Sequence, residues 1–136
     1  MTRVDVSGAV VWRAEGEAER VLGLRPMFRE RIRALPHCDA DSAELIYGEL
    51  LANVVRHARG AVEVRLELHC GRPVLVVRDH GPGLRRLPSP VGRDPFAESG
   101  RGLAIVRRLS QELAVRAAPG GGTMVVAVLP EQTEAA

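Results

Sequence analysis

Along AVEVRLELHC, residues 61–70, apolar and polar positions alternate. Val62, Val64, Leu66 and Leu68 fall on one side, and Glu63, Arg65, Glu67 and His69 on the other. A period of two predicts a strand with one face on a core and the other in water. The GR pair that follows, Gly71 and Arg72, predicts a tight hairpin turn into a second, more continuously apolar strand, PVLVVRD, which ends at Asp79. Near the C-terminus, LAVRAA, PGGG and TMVVAVLP predict strand, turn and strand.

The first part of the chain alternates less clearly. VDVSGAVVWR, Val4 to Arg13, is rich in β-branched residues and suits an edge strand or a hairpin bent at Ser7 and Gly8. From Glu15 to Leu35 helix formers predominate, but Gly23 and Pro26 lie inside the segment, so a helix either starts at Pro26 or is kinked there. In PHCDADSAEL, Asp39 or Asp41 can serve as an N-cap, with Glu44 in the capping-box position for Asp41. The next helix is predicted from Ser42 to Ala58, stopping near Gly60. LAIVRRLSQEL, Leu103 to Leu113, resumes a helical period. Between them, His80 to Gly102 holds so many Gly and Pro residues that a long functional loop is expected.

Strand pairs joined by tight turns, with helices left to cover one face, predict a two-layer α/β sandwich of the α+β kind. Its sheet is expected to be mixed and mostly antiparallel. Residues 1–130 read as a single domain and 131–136 as a flexible polar tail.

Composition narrows the class. With 46% hydrophobic and 26% charged residues, 14 Gly and 9 Pro, the chain belongs among ordinary globular proteins. A formal net charge of +2, carried by scattered residues, argues against a dedicated nucleic-acid surface. No apolar run approaches the roughly 20 residues of a membrane span, and MTRVDVSGAV lacks an export pattern, so a cytoplasmic location is expected. All 19 basic residues are Arg. A phosphate must therefore be held by guanidinium groups, backbone amides or a metal, and a catalytic lysine is excluded. The two His-Cys pairs, His37–Cys38 and His69–Cys70, lack the close spacing of zinc ligands and read as plain thiols.

Three short stretches carry candidate chemistry. In GELLANVVRHA, Tyr47 of the preceding turn, Leu50, Leu51, Val54, Val55 and Ala58 form one apolar stripe at ~3.6 residues per turn. Glu49, Asn53, Arg56 and His57 run along its border. Alone, that ridge reads most like a solvated helix edge. RDHGPG sets Asp79 at a strand end before Gly81 and Gly83, either as a turn or as a carboxylate that can accept a donor from a flat ligand approaching bare backbone. SGRGLAIV places Gly100 and Gly102 before a helix, where free N–H groups and the helix dipole suit phosphate. Neither G-x-x-x-x-G-K nor G-x-G-x-x-G is present.

In this order, E-x-x-x-N-x-x-x-H on a helix, D-x-G-x-G after a strand, a Gly/Pro-rich loop and G-x-G-L opening a helix resemble the N, G1 and G2 boxes of the GHKL ATPase superfamily. The resemblance covers about Asp41 to Pro130 and includes GGT at Gly121 to Thr123. Within the superfamily the chain looks most like the stand-alone anti-sigma-factor serine/threonine kinases and their actinobacterial relatives. It implies a Bergerat-type fold that binds ATP with Mg²⁺. By this resemblance Asn53 coordinates Mg²⁺, Asp79 bonds the adenine amino group with support from Thr123, and Gly81 and Gly83 shape the adenine pocket. Gly100, Arg101, Gly102 and Leu103 would hold phosphates, Arg56 would lie near them, and Leu84 to Ser99 would form a lid. Glu49 corresponds to a general base.

The implied activity is transfer of the ATP γ-phosphoryl group to a serine of a small antagonist protein. Implied partners are an anti-anti-sigma-like antagonist, a sigma factor or both, and a second copy in a homodimer. Two alternatives stand beside it: an ATP-dependent protein-binding module without catalysis, and a stand-alone ATP hydrolase or two-component ATPase domain. The first segment, with Gly23 and Pro26 inside its helix, matches these relatives only loosely.

Overall fold

The computed structural model describes residues 8–57, 60–80 and 101–132, without the side chains of residues 101–103. In chain order its elements are β1 (Ala9–Glu17), α1 (Ala18–Leu22), α2 (Arg25–Arg33), α3 (Ala40–His57), β2 (Ala61–His69), β3 (Arg72–Asp79), α4 (Arg101–Leu109), β4 (Glu112–Ala117) and β5 (Thr123–Val128). The strands form one five-stranded sheet in the order β1-β2-β3-β5-β4, and each neighbouring pair is antiparallel. The expected two-layer α+β sandwich is therefore present.

Strand β2 shows why the layers separate. Val62, Val64 and Leu66 are all but fully buried, and they join Leu75 and Val77 of β3 and Ala127 of β5 in the core under the helices. The opposite face of β2 carries a polar ladder: the ion pairs Arg13–Glu63 at 2.9 Å and Arg65–Glu67 at 2.6 Å, and a hydrogen bond between His69 and Glu67 at 2.7 Å. The helices supply Val21, Phe28, Ile32, Ile46, Leu50, Leu51, Val54 and Val106 to the core. Phe28 and Tyr47 stack at 4.5 Å within it, and the half-buried Trp12 packs against both. The hydroxyl of Tyr47 donates to the carbonyl of Val21 at 2.6 Å, so this buried polar atom is satisfied, and burial raises its pKa.

Several boundaries differ from the sequence expectation. Residues Glu15 to Glu17 belong to β1 rather than to a helix, because Glu15, Gly16 and Glu17 pair with Glu63, Val62 and Ala61. The helical segment that follows is split into α1 and α2 at Gly23 and Leu24, and α2 starts at Arg25 with Pro26 in its first turn. Asp39, not Asp41, caps α3: its carboxylate accepts from the Ser42 amide at 3.1 Å and from the Ser42 hydroxyl at 3.0 Å. Asp41 and Glu44 instead hold Arg29 of α2 at 2.8 Å and 2.5 Å.

The β2–β3 turn is Cys70–Gly71 rather than Gly71–Arg72. Both turn residues have positive φ, 55° and 81°, the geometry that matches strand twist, while Arg72 pairs with His69. Helix α4 ends at Leu109, four residues before the expected Leu113, because Glu112 and Leu113 pair with Val128 and Ala127. After β5 the Asp39 amide donates to Pro130 and the Gln132 amide to His37, so residues 131 and 132 pair with His37 and Cys38 in the segment just before α3. Among the described residues no helix is long and apolar enough to cross a membrane.

Candidate functional site

Helix α3 is held by its buried stripe. Tyr47, Leu50 and Leu51 are at most 2% exposed and Val54 is buried, whereas Val55 is half-buried. This packing sets the rotation of the helix and leaves Glu49 and Asn53, one turn apart, half-buried along the edge of the stripe. Arg56 and His57 are exposed in the last turn, and Ala58 lies outside the described residues. The Oδ1 atom of Asn53 is buried and has no hydrogen-bond partner among the described residues. A buried amide oxygen left unpaired is costly, which sets it apart from an ordinary helix-surface amide.

The second group lies at the end of β3. Side chains alternate along the strand, so Asp79 shares the helix-side face with Leu75 and Val77, while Arg78 shares the opposite face with Val74 and Val76. Asp79 pairs with Val62 on one side and with Thr123 on the other. Thr123 and Glu67 are the buried polar residues of the described chain, Thr123 at 8% exposure.

The turn before Thr123 is built to approach Asp79 closely. Gly120, Gly121 and Gly122 all have positive φ, and a Cβ on Gly122 would lie 2.0 Å from the Asp79 carbonyl oxygen. Only glycine fits there. Under the same turn, the Arg78 guanidinium donates through Nη2 to the Pro119 carbonyl at 2.5 Å. Neither Arg78 nor the Gly122–Asp79 approach was singled out from sequence. The signal available was the pair of adjacent polar residues ending an apolar strand, which must face opposite sides of the sheet.

Arg101, Gly102 and Leu103 form the first turn of α4, which packs on α3 and sends Val106 into the core. Gly81, Gly83, Gly100 and the segment from Leu84 to Ser99 lie outside the described residues. The two thiols are free: Cys38 is buried, and burial with the nearby Asp39 charge pushes it up to about 11, while Cys70 is exposed in its turn.

An antiparallel sheet backed by helices, with a buried amide oxygen on α3 that lacks a partner among the described residues and a carboxylate beside a buried threonine at a strand end, defines an α+β sandwich with its candidate polar groups on α3 and at the ends of β3 and β5. Residues 15–129 match the family described as the histidine kinase-like ATPase domain, and the chain belongs to that family. It is thus an ATP-binding domain of the GHKL type. No curated protein matches the chain.

Proposed function

We propose that the chain is a cytoplasmic regulatory serine/threonine-protein kinase of the anti-sigma-factor type, which phosphorylates a serine on a small antagonist protein. The observation that carries most weight is the buried Oδ1 of Asn53, which has no hydrogen-bond partner among the described residues and lies one helical turn from Glu49. It fits a ligand of Mg²⁺, a hard cation that takes oxygen donors, an asparagine among them where it bridges nucleotide phosphates. When bound, the metal would supply charge neutralisation across the phosphates.

In this reading the base is held at the end of β3, with Asp79 accepting from the adenine amino group and Thr123 supporting that contact. Arg56 lies near the phosphates, and the first turn of α4, Arg101 to Leu103, offers backbone N–H groups to them. Glu49 accepts the proton of the attacking serine hydroxyl. That oxygen bonds to the γ-phosphorus as the bond to the β-bridging oxygen breaks, and ADP leaves with the displaced charge. A homodimer is part of the proposal, with a sigma factor or its antagonist as partner.

The test is capture of partners from the native cell with and without ATP, followed by incubation with ATP labelled at the γ-phosphate. Labelled phosphoserine on a captured small protein supports the kinase. Binding of ATP with no labelled protein would leave a binding module, release of free phosphate without an acceptor a hydrolase, and phosphohistidine a two-component ATPase domain.

A further inference from the structure

The turn that carries Thr123 has a shape but little stiffness of its own. Three successive glycines with φ of 83°, 113° and 88° allow the chain to bend against Asp79, yet glycine backbones gain the most conformational freedom when nothing restrains them. Inside the turn the Ala118 amide donates to Gly122 and the Gly121 amide to Ala118. From outside, the Arg78 guanidinium reaches the Pro119 carbonyl, with Nη2 4.0 Å from where a Cβ on Gly120 would stand.

Arg78 could have been one more rung of the charge ladder, since its cross-strand neighbour on β2 is Glu63. Glu63 is already engaged by Arg13 at 2.9 Å and by Arg65 at 3.6 Å. The Nε of Arg78 is buried without a hydrogen-bond partner among the described residues, so the side chain gives up part of its bonding capacity while its Nη2 holds the turn.

We propose that Arg78 is a positioning residue for base recognition: from the solvent face of the sheet it fixes the Ala118–Gly122 turn, and through it the placement of Thr123 beside Asp79 on the helix face. This rests on the reading of Asp79 and Thr123 as the adenine contacts. Because Arg78 and Asp79 are consecutive on one strand, the two act on opposite faces of the same backbone. Arg78 needs no contact with the nucleotide.

The test compares binding of ATP and of inosine triphosphate, which carries an oxygen where adenine has its amino group, in the wild-type chain, Arg78→Met, Arg78→Lys and Asp79→Asn. Arg78→Met keeps the stem and removes the donor, and should weaken ATP binding by about five- to tenfold, the net effect of one misaligned hydrogen bond to the base. Binding of inosine triphosphate should be unchanged, so the preference between the two collapses, and Arg78→Lys should restore most of it. In the ligand-free protein, amide exchange at Ala118 and Gly121 should be faster in Arg78→Met than in wild type. Equal loss of both nucleotides, or unchanged exchange at the turn, overturns the positioning role. If Asp79→Asn keeps the wild-type preference while exchange at the turn still responds to Arg78→Met, the base contact itself is what fails, and the role in base recognition is overturned with it.

Discussion

Asp79 and Thr123 sit opposite each other on the antiparallel strands β3 and β5, and the backbone of Gly122 lies so close to the Asp79 carbonyl that no side chain fits between them. The backbones that carry the carboxylate and the buried threonine are thus held together by a close contact at Gly122. Any change that opens this contact moves both groups together.

Gly122→Ala should accordingly be among the most damaging single substitutions in the described chain. Its Cβ would stand 2.0 Å from the Asp79 oxygen at a φ of 88°, and a cost of about 3 kcal/mol or more is expected as the turn is displaced. Gly71→Ala is the control: its φ is 81°, nothing lies within 4 Å, and strain alone predicts about 1 kcal/mol. Urea denaturation of the two variants, with ATP binding measured on each, checks the difference.

Asn53→Ala should weaken Mg-dependent ATP binding by at least about tenfold, the loss of a metal ligand, without lowering the stability of the ligand-free protein. The amide oxygen is buried without a hydrogen-bond partner among the described residues, so its removal relieves a desolvation cost. Calorimetric titration with and without Mg²⁺, together with thermal unfolding, reads both effects. A strong drop in ligand-free stability would show that Asn53 is structural.

Glu49→Gln should leave ATP binding within about twofold of wild type and reduce phosphotransfer by about 10²-fold or more, the contribution of a positioned base. Single-turnover transfer to the captured partner separates the two quantities. Equal loss of binding would place Glu49 at the phosphates or the metal instead.

Stability should fall in alkaline solution through Cys38. Its thiol is raised from 9.0 to about 11 in the folded protein, so the neutral form is favoured on folding. A folded value above the unfolded one gives stabilisation that is fully present below about pH 9 and lost as pH rises towards 11, amounting to about 2 kcal/mol. Urea midpoints measured across this window should fall more steeply for wild type than for Cys38→Ala.

Tyr47→Phe removes the donor to the Val21 carbonyl and leaves that acceptor in the core. A loss of about 0.5 to 1.5 kcal/mol in unfolding free energy is expected, the net effect of one hydrogen bond, since the Val21 carbonyl keeps the Leu24 amide as a partner. A change near zero would mean that the aromatic cluster with Trp12 and Phe28 holds α1 without the hydrogen bond.

Much of this layout is local and so could be read along the chain. The alternation in β2 follows from one wet and one dry face, and the polar border of α3 from the helical repeat; both depend only on side chains a few positions apart. Order along the chain was informative too, since three individually weak stretches pointed together to the family that residues 15–129 match. Tertiary contacts decided the rest. Glu15 to Glu17 became strand because β2 offered a partner, and α4 stopped at Leu109 because β5 claimed Glu112 and Leu113. Asp39 rather than Asp41 became the cap once Arg29 engaged Asp41, and Arg78 found its acceptor forty-one residues away in a glycine turn. Local periodicity determines which face a residue presents, whereas only the folded chain determines which distant backbone or charge meets it there.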